Sequence, residues 1–83
     1  MYMTTEFKLT MKLPVKLSSK EQDARIHSDS HQAVKLLMLA VQTSTGGVMK
    51  VHAGGVTQNF RDVNHLMELY RRHGAFTLSY VAL

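Results

Sequence analysis

The chain has no cysteine or tryptophan, and only one of its 83 residues is proline. Without cysteine it has no disulfide, thiolate metal site or thiol nucleophile, which suits a reducing compartment. The longest apolar run, residues 36–41, is about a third of the length of a bilayer-spanning helix. The start, MYMTTEFK, lacks the basic and apolar segments of a secretory signal. We therefore expect a cytoplasmic protein that does not bind membranes.

The composition predicts one small folded domain over residues 1–83. Hydrophobic residues make up 45% of the chain, which is enough to form a core. The formal net charge is +4, and this mild excess permits an acidic protein partner or nucleic acid without requiring either.

Residues 7–17 alternate between apolar and polar side chains, which predicts a half-buried strand. Pro14 has no N–H group, so regular pairing should stop near Leu13. Residues 18–30 are predicted to form a polar loop, or a loop that holds one short helical turn. Ser18 and Glu21 have the spacing of a capping box, but no apolar periodicity follows them.

The first helix is predicted to begin after Ser28, Asp29 or Ser30, each of which has a side-chain oxygen suited to an N-cap. The apolar stripe of this helix consists of Val34, Leu37, Met38 and Val41, widened by Ala33, Leu36 and Ala40. Gly46 and Gly47 are expected to stop it. The apolar arc covers about 200°, roughly twice what one packing surface needs. Two interpretations follow: the helix is deeply buried, or part of it docks on a partner or a second copy.

The stretch KVHAGGVTQNF raises the question of whether its two glycines form a phosphate-binding loop or a hairpin. A turn at Gly54 and Gly55 pairs Ala53 with Val56, Val51 with Gln58 and Met49 with Phe60 on one face. His52 then pairs with Thr57, and Lys50 with Asn59, on the other. A phosphate loop leads into a helix, whereas a strand follows these glycines. The pattern favours the hairpin.

A second helix is predicted from Asn59 or Asp62 to Gly74, with an apolar stripe of Val63, Leu66, Met67 and Tyr70 and a basic last turn. A last alternating strand contains Phe76, Leu78 and Tyr80. The order βαββαβ predicts an α+β open-faced sandwich, a four-stranded antiparallel sheet with both helices on one face. Ferredoxin-like topology is the first choice, and an HPr-like fold without the last helix is the alternative.

The uncovered face of this sheet should be polar and weakly basic. It is predicted to carry Glu6, Lys8, Thr10, Lys12, Lys50, His52, Thr57, Asn59, Thr77 and Ser79. All the aromatic rings of the strands fall on the other face, so the stacking platform of an RNA-binding sheet is missing. Lysines on strands also protect sheet edges from aggregation.

Other charged clusters suggest little chemistry. Arg71 and Arg72 form a basic helix end that either complements the helix dipole, partly paired with Glu68, or docks on an acidic partner. His27 and His31 have the spacing of two metal ligands on a helix, but His27 is expected to precede the helix and no third ligand is suitably spaced. No catalytic triad or acid–base pair is recognisable. We expect no enzyme activity, metal or cofactor.

From about Asp29 to Tyr80 the pattern resembles the histidine-containing phosphocarrier (HPr) family, through AVKLLMLA, the Gly54-Gly55 hairpin, the helix from Arg61 and the Gly74-to-strand ending. The resemblance implies an open-faced βαββαβ sandwich. The family motif Gly-Leu-His-x-Arg-Pro-Ala is absent, since Asp29 stands in place of the phosphorylated histidine. No counterpart of the family's last helix follows. The resemblance therefore does not imply phosphocarrier activity, although His27 or His31 is an alternative phosphate acceptor.

The expected function is that of a non-enzymatic interaction module docking on a larger macromolecule, as an inhibitor or adaptor. Phage counter-defence proteins such as anti-CRISPR inhibitors share this profile. Nucleic-acid binding and a degenerate HPr-like role are the alternatives, and a homodimer is a further option. The predicted partner-binding residues are Lys35 and Leu39 on the first helix, Arg71 and Arg72 on the second, and the sheet lysines Lys8, Lys12 and Lys50.

Overall fold

A computed structural model describes residues 6–44 and 46–82 of the chain. The elements are β1 (Glu6–Lys12), α1 (Ser19–Gln42), β2 (Gly47–Ala53), β3 (Val56–Asn59), α2 (Val63–His73) and β4 (Ala75–Ala82). The order βαββαβ is the predicted one. The prediction about a secretory signal concerns the start of the chain, of which residues 1–5 lie outside the described residues.

The four strands form one antiparallel sheet in the order β1-β4-β2-β3. β1 and β2 both run antiparallel to β4, which lies between them, and β2 likewise lies between β3 and β4. Each strand–helix–strand unit therefore has another strand inserted between its two strands. α1 packs on β1 and β4, and α2 packs on β4 and β2. The predicted α+β open-faced sandwich is confirmed.

The core lies between the sheet and the two helices. The side chains of β4 that point to the helices are Phe76, Leu78 and Tyr80, and all three are buried. The ring of Phe76 meets that of Tyr70 edge-on, with centroids 4.8 Å apart, an arrangement that aromatic pairs favour. The core also includes Leu13, Ile26, Ala33, Leu37, Val51, Ala53, Leu66 and Leu69.

The predicted start of the first helix is wrong: α1 begins at Ser19, and the segment assigned to a loop is helical. Ser18 is the N-cap, and the capping box is present in full. The Ser18 side chain accepts a hydrogen bond from the Glu21 N–H, and the Glu21 carboxylate accepts one from the Ser18 N–H, each 3.2 Å long. This bonding lowers the pKa of Glu21.

The buried line of α1 explains why its first half resembled a loop. Ile26, Ser30, Ala33 and Leu37 follow one another at spacings of four, three and four, and all are buried. Only Ile26 is a large apolar residue in the first half of that line. The other positions between Ser19 and His31 are mostly polar and exposed. The periodicity was therefore too sparse to predict a helix.

Hydroxyl groups, rather than the glycine pair, end α1. The helix stops at Gln42 with Thr43 as its C-cap. Thr43 Oγ1 donates to the Ala40 carbonyl (2.9 Å), and Ser44 Oγ donates to that of Val41 (3.1 Å). Ser44 also forms a hydrogen bond with the Tyr80 hydroxyl, which ties this helix end to β4. The predicted stop at Gly46 and Gly47 therefore falls a few residues late.

The first strand ends where proline was expected to end it. Pairing with β4 runs from Glu6 to Lys12, and the Leu13 N–H then donates to the Gly74 carbonyl (2.9 Å). The alternation continues to Leu17 in the sequence, but Val15 is 92% exposed. Once the chain leaves the sheet at Pro14, the alternation no longer places side chains in the core.

The hairpin and the second helix are confirmed in detail. Gly54 and Gly55 have φ angles of +60° and +79°, the positive values that a tight two-residue turn requires. The register of β2 with β3 is the predicted one. Asp62 caps α2 by accepting from the His65 N–H (2.8 Å), and Gly74 ends it in the left-handed conformation.

Candidate functional site: the uncovered face of the sheet

The candidate site is the face of the sheet that carries no helix. In addition to the residues assigned to it from the sequence, it carries Ala75, Val81 and Val48. Its full set is Glu6, Lys8, Thr10 and Lys12 on β1; Ala75, Thr77, Ser79 and Val81 on β4; Val48, Lys50 and His52 on β2; and Thr57 and Asn59 on β3.

Two lysines flank one serine on this face. Lys8 of β1 and Lys50 of β2 are both register partners of Ser79 on β4. Their Cα atoms are therefore two strand spacings, about 10 Å, apart. Lys50 Nζ donates to Asn59 Oδ1 (2.7 Å), which holds its ammonium group over the sheet. Strand order, and not sequence proximity, brings these two charges together.

The next row consists of hydroxyl groups and an imidazole. Thr10 Oγ1 and Thr77 Oγ1 are hydrogen-bonded at 2.9 Å, and His52 Nδ1 lies 2.7 Å from Thr57 Oγ1. His52 and Thr77 are register partners, so these two pairs are adjacent. His52 also borders both shallow depressions of this face. The row thus offers hydrogen-bonding groups beside the lysines.

The charges of the two layers are organised differently. Ion pairs join Arg25 to Asp29, Arg71 to Asp23 and Arg72 to Glu68, all on the helices, at 3.2–3.3 Å. Among the described residues, no ion pair joins any lysine of the uncovered face to a carboxylate. That face has three lysines and one glutamate, a net +2 of the chain's +4. Its positive charge is therefore available to a partner.

Aromatic rings point to the opposite side, as predicted. Phe76 and Tyr80 are buried under the helices, and Phe7 and Phe60 pack against the same core. Within residues 6–44 and 46–82, no aromatic ring of phenylalanine or tyrosine lies on the uncovered face. Bases therefore have no such ring to stack on there.

The predicted partner-binding residues lie on three separate surfaces. Lys8, Lys12 and Lys50 share the uncovered face. Lys35 and Leu39 lie one turn apart on α1, where both are exposed, Leu39 to 52%. Arg71 and Arg72 lie in the last turn of α2. The structure does not bring the three groups into one site.

The arginines of α2 are already engaged with carboxylates. Arg72 pairs with Glu68 one turn earlier, as expected, whereas Arg71 reaches across to Asp23 of α1. All four side chains are largely exposed to solvent, so each pair stabilises the fold by less than about 1 kcal/mol. The carboxylates nevertheless offset the positive charge that an acidic partner would meet at this end.

His27 and His31 do share one face of a helix, contrary to the expectation that His27 precedes it. Their rings stack with centroids 4.2 Å apart, and His31 Nδ1 lies 2.7 Å from the His27 carbonyl oxygen. In the described part of the chain, no three histidine, aspartate or glutamate side chains are grouped so that they would hold a metal ion.

Asp29 occupies a structural position in the middle of α1. Its carboxylate accepts from the Tyr70 hydroxyl (2.6 Å) and from Arg25 Nε (3.2 Å). Burial, and then the bond to Asp29, raise the pKa of the Tyr70 hydroxyl above its usual value near 10. This contact joins the two helices.

Reasoning from the sequence missed one apolar spot on the uncovered face. Val48 and Val81 are register partners there, and they are 43% and 44% exposed. Each has the same parity as the polar residues of its strand. Extending the alternation by one step in β2 and in β4 would have found them.

Comparison with known proteins adds no relative. No protein-family model matches the chain, and searches of curated proteins and of solved structures likewise find no significant match. Neither helix in the described residues has the length and apolar character needed to cross a membrane.

Proposed function

We propose that this protein is a non-enzymatic interaction module that docks the uncovered face of its sheet on an acidic surface of a larger protein, as an inhibitor or adaptor. The observation that carries the proposal is that three lysines share that face and, in the part of the chain that the structure describes, form no ion pair with a carboxylate. Lys8, Lys12 and Lys50 project from one rigid sheet, while the arginines of the ion pairs lie on the helices.

The neighbouring groups suit a protein surface. Thr10, Thr77 and Ser79 offer hydroxyls that donate or accept hydrogen bonds, and His52 offers a ring nitrogen. The exposed pair of Val48 and Val81 adds an apolar spot at one end of the face. A positive centre with hydroxyls and a small apolar margin is complementary to carboxylates on a partner's surface.

Nucleic acid is the second candidate, because the same lysines would contact phosphates. Binding of that kind needs no base stacking if only the backbone is contacted. The lack of aromatic rings on the face favours the protein partner over single-stranded nucleic acid. An acidic peptide should bind if the partner is a protein, and DNA should bind more tightly if the partner is nucleic acid.

The test is a titration of the ¹⁵N-labelled protein followed by NMR, with a ten-residue polyglutamate peptide in one arm and mixed-sequence single- and double-stranded DNA in the other. We expect the peptide to shift the amide signals of residues on β1, β4 and β2, and to bind more weakly as salt rises, since exposed charges are screened over about 10 Å at 0.1 M salt. Tighter binding of DNA, with a salt dependence that becomes shallower by about two units in Lys8→Gln/Lys50→Gln, would favour the second candidate.

The matched control has the same net charge as Lys8→Gln/Lys50→Gln, but its two substitutions lie outside the sheet. Lys16→Gln/Lys20→Gln removes two exposed lysines, one between β1 and α1 and one in the first turn of α1. Lys8→Gln/Lys50→Gln should abolish the peptide shifts, and the control should keep most of them. Equal losses in both variants, or shifts confined to Arg71 and Arg72, would refute docking through the sheet.

The remaining expectations have no specific support among the described residues. Asp29, which stands in place of the HPr-family histidine, accepts hydrogen bonds from Tyr70 of α2 and from Arg25 of α1. His27 and His31 lie in the middle of the helix, away from the N-terminal amides that favour anions. The HPr-like role, the anti-CRISPR role and the cytoplasmic location stay predictions.

A further inference from the structure

One edge of the sheet is unusually open. β1 is an edge strand, seven residues long, and among the described strands it pairs only with β4. It has neither a proline nor a break in its register between Glu6 and Lys12. The other edge strand, β3, has four residues. A long regular edge presents a row of unpaired N–H and C=O groups, which another strand can complete.

We propose that β1 pairs antiparallel with β1 of a second copy of this chain, with the two-fold axis at Leu9. Leu9 is the central residue of the strand, so this register uses all seven residues. It would add about six main-chain hydrogen bonds and join two four-stranded sheets into one of eight strands. The proposal does not rest on the function proposed above.

The charges of β1 select this register. With Leu9 opposite Leu9 of the second copy, Glu6 lies opposite Lys12 at both ends, and Lys8 lies opposite Thr10. If the register shifts by two residues in one direction, Lys8 lies opposite Lys8 of the second copy. If it shifts by two residues in the other direction, Lys8 lies opposite Lys12 of the second copy. A shift of one residue places apolar side chains opposite polar ones on the wrong face. Like charges directly opposite destabilise a strand pair, so the central register suits EFKLTMK better than either register shifted by two residues.

The apolar side chains of β1 also have no neighbouring strand at the open edge among the described residues. Phe7, Leu9 and Met11 point to the helices but remain half-buried, whereas Phe76, Leu78 and Tyr80 on the adjacent central strand are buried. In the proposed pair Phe7 lies opposite Met11 of the second copy at both ends. The second sheet would thus cover side chains that β4 and α1 cover from only one side.

The helix next to this edge has an exposed apolar flank. Leu39 is 52% exposed on α1. α1 packs on β1 and β4, and α2 packs on β4 and β2, so α1 is the helix nearer the β1 edge. With α1 about one strand spacing from the axis, the two copies of α1 would lie about 10 Å apart, a normal distance for packed helices.

The experiment measures self-association by sedimentation velocity between about 5 and 300 μM, a range that covers weak dimers. We expect the native chain to show a concentration-dependent monomer–dimer equilibrium. Lys12→Glu alone and Glu6→Lys alone each create two like-charge pairs across the axis and should weaken the dimer about ten-fold. Glu6→Lys/Lys12→Glu restores both opposite-charge pairs, with the native net charge, and should restore the dimer.

Circular dichroism melts of the monomeric forms check that each variant is folded. A chain that stays monomeric over the whole concentration range overturns the proposal. That result would be expected if the edge strand pairs with a strand of another protein instead. A dimer that the charge changes leave intact but Leu39→Asp abolishes also overturns it, because the interface would then be helical. Pairing in the proposed register is supported if both single variants weaken the dimer and the double variant restores it.

Discussion

Replacing Ser30 with alanine should stabilise this protein. Ser30 lies in the middle of α1 and is fully buried, and within residues 6–44 and 46–82 its Oγ has no hydrogen-bond partner. It is one of four residues on the buried line of the helix, between Ile26 and Ala33. A hydroxyl thus occupies a position on the buried line of α1 that an apolar side chain would fill without a polar group to satisfy.

The magnitude follows from two contributions. A buried hydroxyl without a partner costs about 1–3 kcal/mol, part of which is offset by the contacts its oxygen makes in the core. Alanine also has a helix propensity about 0.5 kcal/mol better than serine. We expect Ser30→Ala to raise the free energy of unfolding by about 1–2 kcal/mol, which for a domain of this size corresponds to a Tm higher by about 5–10 °C.

Urea unfolding followed by circular dichroism measures the effect, at one fixed protein concentration because self-association would add to stability. Ser28→Ala is the matched control, since Ser28 lies in the same helix but is exposed. It should gain only the propensity contribution, about 0.5 kcal/mol. If Ser30→Ala gains no more than Ser28→Ala, or loses stability, then the Ser30 hydroxyl is satisfied, for instance by a carbonyl one turn earlier.

Two further predictions concern the helix contact and the hairpin. The unfolded chain loses the Tyr70 proton near pH 10 while the folded chain retains it, because its folded pKa is raised; stability should therefore fall as pH rises above about 10. Tyr70→Phe should remove most of that fall and, by removing one of the two hydrogen-bond donors to the Asp29 carboxylate, lower stability at neutral pH by about 1–2 kcal/mol in urea melts. Gly54→Ala should cost more than Gly55→Ala, although both glycines have positive φ, because a Cβ at Gly54 would overlap the His73 ring and one at Gly55 would meet nothing. Equal losses in thermal melts, each of about 1 kcal/mol from backbone strain alone, would show that His73 moves aside freely.

The hairpin and the second helix were predictable because their signals are local. Gly54 and Gly55 sit at the centre of two alternating segments, so the turn and the register specify each other. Asp62 and Gly74 mark the two ends of α2 by backbone chemistry that involves only neighbouring residues. Neither element needed knowledge of its packing partners.

The first half of α1 was not predictable in the same way. Its buried side includes Ser30 and only one large apolar residue, Ile26. Its helical state is supported by contacts to a distant segment, those of Asp23 with Arg71 and of Asp29 with Tyr70. A contact 41 residues away along the chain leaves no periodic trace in the sequence.

The alternation of the strands, by itself, determined which side chains share the uncovered face and which lie under the helices. Parity is a property of the backbone, because successive side chains of a strand point to opposite sides whatever lies next to it. Tertiary structure alone decided that β4 lies between β1 and β2, which puts Lys8 and Lys50 on either side of Ser79 and leaves β1 at the edge. That choice depends on how the two helices cross over the sheet and share its surface, a balance over the whole chain that no short stretch of sequence contains.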